Sequence, residues 1–439
     1  MSAQTKSNAG VIFTCIAGPD SGKRLAITED EVSLGRSAKC HMLSDDPDVA
    51  QRHATFRLDD GKVRYQATGS AEVFVDGHPS RQGVLEPKQQ IRLGRSTWQL
   101  AGRSSERAFN DFIDNLGQKI SSVAGVERIQ GFDLRATFSE VFRKHADDEV
   151  EAFFNVGGPT TTPPLAQVNT SWPKPWLFFR TFALSVAVYF AFLFGWNEFN
   201  NTNLLPGLMM VGSLAIPFSI LMLFFEVNVL RNISLYQVLK AVLVGGILSL
   251  ILTLFLYQFF GKLENSLGAV AVGIFEEVGK AAALLLVINK LRYRWTLNGL
   301  LLGAAIGTGF AAFESSGYAF NYLWNSASTE VMTQVIKTRA WLSILGGHVL
   351  WAAIVGAALW KVRGDRKFEW KMLGDLRFLR VLGLAAALHA VWDCNFEPPL
   401  YLKEIVLGFV VWVVILSFIQ EGLKQVREEQ LKHSPTPTA

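Results

Sequence analysis

Apolar residues change their rhythm along this chain near residue 175. Before it they come in short runs broken by turn chemistry. "VIFTCIAG", "KRLAIT", "VSLGRS", "HATFRLDDGKVRYQAT", "VFVDG" and "IRLGRSTWQLAG" read as strands, with "GPDSG", "SDDPD" and "DDG" as turns between them. Such spacing predicts an all-β sandwich over residues 10–102. "FNDFIDNLGQKISSVAGV" and "LRATFSEVFRKHADDEVEAFF" place apolar residues three and four apart, so two amphipathic helices are expected in a linker over 103–175. "VGGPTTTPPLAQV" reads as a Gly/Pro/Thr hinge within that linker.

From Trp176 onward the apolar runs are long enough to cross a bilayer. Eight are expected, at about 176–196, 204–225, 236–260, 267–289, 297–322, 340–361, 378–394 and 403–420. They make residues 176–423 an all-α polytopic membrane domain and leave 424–439 as a tail. Charge supports this count. Arg231 and Lys240 lie between the second and third runs, and Lys290, Arg292 and Arg294 between the fourth and fifth. "KVRGDRKFEWKMLGDLRFLR", after the sixth, is richer still in Lys and Arg. Intervening loops are poor: "NEFNNTN" holds none, and the others Lys262, Lys337 with Arg339, and Lys403. Because basic loops stay in the cytoplasm, both termini are expected there.

Composition changes the picture only modestly. The 439 residues are 50% hydrophobic and 18% charged, with a net charge of +4 whose basic side chains gather in loops and form no nucleic-acid-like patch. No nucleic-acid partner is expected. Cys15, Cys40 and Cys394 are too scattered for a disulfide framework or a metal-type spacing. "MSAQTKSNAG" lacks an apolar core, so no cleaved signal peptide is expected.

The membrane runs carry groups that lipid does not tolerate. "GIFEEVGKAAALL" puts Glu276, Glu277 and Lys280 near the middle of one run. A charge there costs at least ~2.5–3.5 kcal/mol. Glu314 lies in the fifth run, His348 in the sixth, and His389 and Asp393 one turn apart in the seventh. Helices bearing such groups turn them inward, so these seven should converge on one polar chamber. Each has a plain alternative: Glu276 and Lys280, four apart, suit a neutralising ion pair, and a membrane histidine suits an interhelical hydrogen bond. Gly299, Gly303 and Gly307 suit close helix packing. A carboxylate in a low-dielectric chamber can serve as general base, and histidines can stabilise an oxyanion or bind a divalent metal.

In the first module, "LGRSAKCHMLSDDPDVAQRHATF", "EVFVDG" and "IRLGRSTWQL" resemble the forkhead-associated (FHA) domain, whose family reads phosphothreonine peptides. The resemblance makes Arg36 the phosphate-holding arginine and His53 the histidine that braces the binding loops. The family's serine before this Arg-x-His is Ala50 here, and its asparagine falls at Ala71, beside Glu72. The pocket is therefore degenerate. Weak phosphothreonine binding, or docking of a cytoplasmic protein without phosphate, is what the resemblance implies.

In the membrane module, "EEVGK" (276–280), "GFAAFESSGY" (309–318), His348 after Arg339, and "HAVWD" (389–393) resemble the four motifs of the PrsW family of intramembrane proteases, of the CAAX-protease and bacteriocin-immunity clan. Ser315 replaces the asparagine of the family's second motif. The resemblance implies a catalytic set of Glu276, Glu277, Glu314, His348, His389 and Asp393. Glu276 would activate water, Glu277 would brace the site, and the histidines would stabilise the tetrahedral intermediate. Neighbouring helix residues point about 100° apart, so the two glutamates cannot hold equivalent positions. Glu276, His348 and His389 also suit a divalent metal such as zinc, although no "HExxH" helix is present, and a metal-free glutamate base remains the alternative. By the same resemblance the substrate is a membrane-bound protein of the anti-sigma-factor type, and the setting a signalling role in a bacterial inner membrane. Two rivals stand beside this reading: an inert membrane receptor presenting the FHA domain, and a proton-coupled transporter.

Overall fold

In the computed structural model, residues 11–433 are described apart from 28–29, 60–61, 87–88, 101–104, 289–290 and 397. The chain divides into two compact units, Met1–Asn115 and Leu116–Ala439.

The first unit is a sandwich of eleven strands among the described residues. They are β1 (Val11–Ala17), β2 (Arg24–Ile27), β3 (Val32–Gly35), β4 (Met42–Leu43), β5 (Ala54–Asp59), β6 (Lys62–Ala67), β7 (Val73–Val75), β8 (His78–Ser80), β9 (Gln82–Leu85), β10 (Gln90–Leu93) and β11 (Ser96–Leu100). One sheet runs β2-β1-β11-β10-β7-β8 and the other β4-β3-β5-β6-β9. Alternation decides which side chains go inward. In β6, Val63 and Tyr65 are buried while Lys62 and Arg64 are exposed, and β10 repeats the pattern with Ile91 and Leu93 inside. Phe13, Phe56 and Trp98 fill the space between the sheets; Phe13 stacks on Trp98 at 5.4 Å and tilts against Phe56 at 5.0 Å. Strands β4, β8 and β9 are too short or too polar to show in the hydrophobic pattern.

The linker departs from expectation in one place. A helix does span Ser105–Ala124. The second expected amphipathic helix is broken into Leu134–Thr137 and Asp147–Phe154. His145 interrupts it: its ring stacks on Trp176 at 3.6 Å, and its nitrogens meet Glu149 Oε2 at 2.6 Å and the Glu140 carbonyl at 3.1 Å. Burying one polar ring this way outweighs a few further turns of marginal helix. The expected hinge is packed: Gly157, at φ +80, lies against the Ile233–Ser234 backbone, and Thr162 Oγ1 donates to the Gly158 carbonyl.

Six membrane-length apolar helical stretches follow among the described residues: Leu177–Phe199, Thr202–Val227, Leu235–Phe260, Thr296–Ser326, Thr329–Arg363 and Pro399–His433. The other two stretches expected to span are also helical, Ala269–Val287 and Leu376–Asp393. Each carries three charged side chains, Glu276, Glu277 and Lys280 in the first and Arg377, Arg380 and Asp393 in the second, and so falls outside the apolar six. The expected sixth span also needs correction. Helix Thr329–Arg339 and a 3-10 turn at Trp341–Ile344 precede it, and the continuous helix begins only at His348, after Gly346 and Gly347. His348 therefore sits at a helix start. The last helix, Leu402–His433, runs past residue 423, where a tail was expected to begin.

Helices Thr296–Ser326 and His348–Arg363 form the buried centre of this unit. At three glycines along their seam, backbone approaches backbone closely. A Cβ at Gly299, Gly303 or Gly307 would collide with the carbonyls of Gly356, Ala352 and His348 respectively. Helix Leu177–Phe199 is held at its start by Glu226, whose carboxylate accepts from the backbone N–H of Trp176, Leu177 and Phe178 at 2.8 Å each.

Candidate active site

Four helices carry the site. Ala269–Val287 supplies Glu276, Glu277 and Lys280; Thr296–Ser326 supplies Glu314; His348–Arg363 supplies His348; and Leu376–Asp393 supplies His389 and Asp393. All six carboxylates and histidines expected to form a chamber meet there.

Glu277 and Glu276, adjacent in sequence, play different parts. Glu277 is fully buried, and its Oε1 accepts from Lys280 Nζ at 2.6 Å and from His389 Nδ1 at 3.0 Å. Glu276 is buried too, but its Oε2 has no hydrogen-bond partner among the described residues. It lies 3.7 Å from His348 Nδ1 and 3.6 Å from His389 Nε2. The roughly 100° between neighbouring helix residues turns one carboxylate into the network and the other toward the two imidazoles.

The rest of the cluster forms a chain. Glu314 Oε2 lies 2.8 Å from an Arg339 guanidinium nitrogen and 2.9 Å from His348 Nε2. Lys280 Nζ reaches His348 Nδ1 at 3.0 Å. Asp393 Oδ2 stands 3.3 Å from His389 Nε2. An ammonium has donors only, so His348 Nδ1 must accept and the ring proton sits on Nε2, facing Glu314. For His389, Nδ1–H donates to Glu277, leaving Nε2 turned to Glu276 and Asp393.

Sequence reasoning placed Lys280 in the chamber with the wrong partner and missed the parts of Arg339 and Trp351. Lys280 is paired with Glu277 and His348, not with Glu276 as the four-residue spacing suggested; three-residue spacing serves equally well on a helix, and the histidine decides. Arg339, read as a loop charge, holds Glu314 and lies 4.0 Å over the Tyr318 ring. Its position just before the histidine motif was the available signal. Trp351 stacks on His389 at 4.5 Å, and one turn of helix separates it from His348. Ser315, one residue beyond Glu314, is buried with its hydroxyl unpartnered.

Glu276, His348 and His389 each present one ligating atom, all within 4.8 Å of one another. Adjacent ligands of a tetrahedral zinc bound at about 2.0–2.1 Å stand roughly 3.4 Å apart; the Glu276 oxygen lies 3.7 and 3.6 Å from the two histidine nitrogens, and the three atoms spread over at most 4.8 Å. The buried, unpartnered Glu276 oxygen has the character of a ligand atom. Glu277, accepting from the far side of the His389 ring, is placed as such a ligand's orienting partner. The donor set fits a divalent metal.

In the first unit, His53 braces two loops: Nδ1 accepts from the Ala50 N–H at 3.0 Å, and Nε2 faces the Glu72 carbonyl at 2.9 Å. Arg36 is exposed, and its Nε donates to the Val49 carbonyl at 2.6 Å. Part of its guanidinium is thus spent on the loop itself.

Comparison with known proteins matches each of the two units to a family model. Residues 234–419 match the family model described as PrsW family intramembrane metalloprotease, which takes in the four helices of the chamber. Residues 14–104 match that of the cytoplasmic domain of an inner membrane component of the type III secretion system. Curated relatives match over a short stretch of the chain. The glycogen accumulation regulator GarA of Mycolicibacterium smegmatis is 30% identical over 79 residues, 18% of this chain and 50% of that protein. The oxoglutarate dehydrogenase inhibitor of Corynebacterium efficiens is 29% identical over 79 residues, 18% of this chain and 56% of that protein. The chain spans about half the length of these relatives. An FHA domain solved in a study of phosphothreonine-dependent interactions is 24% identical, covering 21% of this chain and 95% of that one, with a TM-score of 0.20. The chain is thus a multi-span membrane protein with a hydrolytic domain. That domain is a PrsW-type intramembrane protease, and an FHA-like domain precedes it.

Proposed function

We propose that the chain cuts a peptide bond of a membrane-anchored protein of the anti-sigma-factor type, with Glu276 as the water-activating base. The buried and unpartnered Glu276 Oε2, within 3.7 Å of both histidines, carries this reading. Each other acid in the chamber has an oxygen at 2.6–3.3 Å from a cation or imidazole, Glu277 with Lys280 and His389, Glu314 with Arg339 and His348, and Asp393 with His389, although Glu277 also keeps its Oε2 unpartnered.

In this mechanism Glu276 takes a proton from water as oxygen attacks the carbonyl carbon, and passes it to the leaving nitrogen when the tetrahedral intermediate collapses. His348 and His389 stand on either side of that oxygen; a proton on His389 Nε2 supports the charge that develops on the carbonyl oxygen, while His348, whose Nδ1 accepts from Lys280, holds that cation beside it. Glu277 and Asp393 fix the His389 ring, Glu314 fixes His348, and Arg339 fixes Glu314. Trp351 and Phe310 wall the imidazoles and exclude water. In the alternative to a free glutamate base, Glu276, His348 and His389 would hold a divalent metal such as zinc, which when bound supplies Lewis acidity and lowers the pKa of water.

The setting we infer is a bacterial inner membrane with both termini in the cytoplasm. There the FHA-like unit governs access of the substrate by docking a cytoplasmic protein or phosphopeptide. The decisive assay is cleavage of single-pass candidate substrates by purified protein in liposomes, wild type against Glu276→Gln. Full retention of cleavage in the variant would refute the assignment. Reporter fusions after Asn201 and after Arg366 should mark opposite sides of the membrane; marking the same side would overturn the topology.

A further inference from the structure

Lys280 is the least expected member of the chamber. Its side chain is essentially fully buried. Nζ touches Glu277 Oε1 at 2.6 Å and His348 Nδ1 at 3.0 Å, and lies 4.5 Å from the centre of the Phe310 ring. An ion pair with Glu277 would account for a neutralising lysine. It does not account for the second contact, which crosses from one helix to another and ends on a histidine nitrogen that also faces Glu276.

That nitrogen has one lone pair in the plane of its ring. It accepts the lysine proton or it binds a metal; it cannot do both. The other nitrogen of the same ring is committed to Glu314 at 2.9 Å, which Arg339 holds in turn at 2.8 Å. His389 has no such competitor, since its Nε2 faces only the carboxylates of Glu276 and Asp393. The cluster is therefore lopsided: of the three ligand atoms, His348 Nδ1 is the one capped by a cation, while His389 Nε2 meets carboxylates.

We propose that Lys280 is an internal cation that competes with the divalent metal for His348 Nδ1. In the metal-free protein the ammonium occupies this nitrogen; on loading it withdraws to Glu277 alone, and His348 becomes the third ligand. Lys280 is thus a positioning residue that weakens metal binding and keeps the metal-free chamber charge-balanced. The inference rests on the metal-binding reading of Glu276, His348 and His389.

Zinc affinity of the purified full-length protein in detergent, measured against a colorimetric chelator, tests it without reference to proteolysis. Lys280→Gln removes the charge but keeps a polar group of similar reach. Its zinc affinity should rise about tenfold, the scale on which neighbours of metal ligands act. Adding His348→Ala should abolish that gain. Lys280→Arg, which keeps the cation, should stay near wild type. Nitrogen-15 spectra of histidine-labelled wild type, assigned with His348→Ala, supply a second readout that does not depend on how Lys280 variants fold. Chelator-treated protein should show His348 Nδ1 unprotonated and accepting a hydrogen bond, and zinc should shift that signal. Unchanged or weaker zinc binding in Lys280→Gln, or a protonated Nδ1 in the metal-free wild type, overturns the proposal. If those results come with zinc binding that Glu276→Gln and His389→Ala abolish, the metal site stands and only the competition falls. Absence of zinc binding in wild type and Lys280→Gln alike removes both.

Discussion

In the sandwich, Asp20 and Asp46 are fully buried. Asp20 accepts from Ser44 Oγ, from the Asp45 N–H at 2.7 Å and from Lys23 at 2.9 Å. Asp46 accepts from the Asp48 N–H at 3.0 Å, the Arg95 N–H at 2.7 Å and Ser96 Oγ at 2.8 Å. In the membrane unit Glu276 and Glu277 are just as buried, yet each keeps one oxygen without a partner. Burial alone pushes Asp20 and Asp46 up, but the donors around them more than offset it and hold both below the usual carboxylate range. The first pair has every carboxylate oxygen hydrogen-bonded and ties loops together. The second leaves free acceptor capacity in a place where an unmet oxygen is expensive. Fully bonded acids mark architecture here, Glu277 is half bonded and braces the site, and Glu276, whose nearest imidazole nitrogens lie at 3.6 and 3.7 Å, marks the chemistry.

The largest effect should come from separating the two membrane glutamates. Glu276→Gln should lower the cleavage rate by about 10²–10⁴-fold, the usual contribution of a positioned base, and leave thermal stability in detergent unchanged or slightly raised. Glu277→Gln should instead destabilise by roughly 3–5 kcal/mol, because it strips the buried Lys280 of its anion. Both follow from thermal unfolding and a cleavage assay on the same preparations. Equal destabilisation by the two changes would erase the distinction.

Next in size is the sandwich. Asp46→Asn in residues 1–115 should cost about 1–3 kcal/mol at neutral pH, since the amide offers its neighbours' donors one acceptor fewer. The sign with pH follows from the direction of the shift. A carboxyl held low in the folded state contributes stability above the unfolded value of about 3.9 and loses it as pH falls through the folded value. The gap between wild type and variant should therefore close in acid. Denaturant titrations at neutral pH and near pH 3 measure it, and a gap that widens in acid would contradict the network.

Smallest should be Arg36→Ala. Its Nε is engaged with Val49, and Ala50 and Ala71 offer a phosphopeptide no side-chain hydrogen bond. Calorimetry with phosphothreonine peptides should register less than the ~1.5–3 kcal/mol of a hydrogen bond to an ionised group. A micromolar binder lost on this substitution would instead show a working pocket.

The same contrast explains how far the sequence could be read. Alternation exposed the long strands of the sandwich, because each buries one face; Met42–Leu43 and His78–Ser80 have too few residues to show any period. Acids in apolar runs announced the chamber, because lipid offers them no partner. Which lysine meets which acid was hidden, since residues three and four away share a helix face. Arg339 was hidden for another reason: it closes a short helix of its own, and nothing nearby in sequence shows that Glu314 lies within reach. The broken linker helix depended on Trp176, thirty-one residues beyond His145 in sequence.

The seam between Thr296–Ser326 and His348–Arg363 bears on how small a change can silence the chamber. Gly307 abuts the carbonyl of His348 itself, so one added methyl there displaces the main chain of a residue whose ring is held by Glu314 and Lys280. Such a lesion touches no ionisable group and alters no charge. It acts as a shim driven between two plates, and the spacing it spoils is that between an imidazole on one plate and carboxylates on its neighbours. Where backbone rests on backbone there is no side chain to rotate aside, so the accuracy of the chamber is set by residues that have nothing to contribute to it except their absence of bulk.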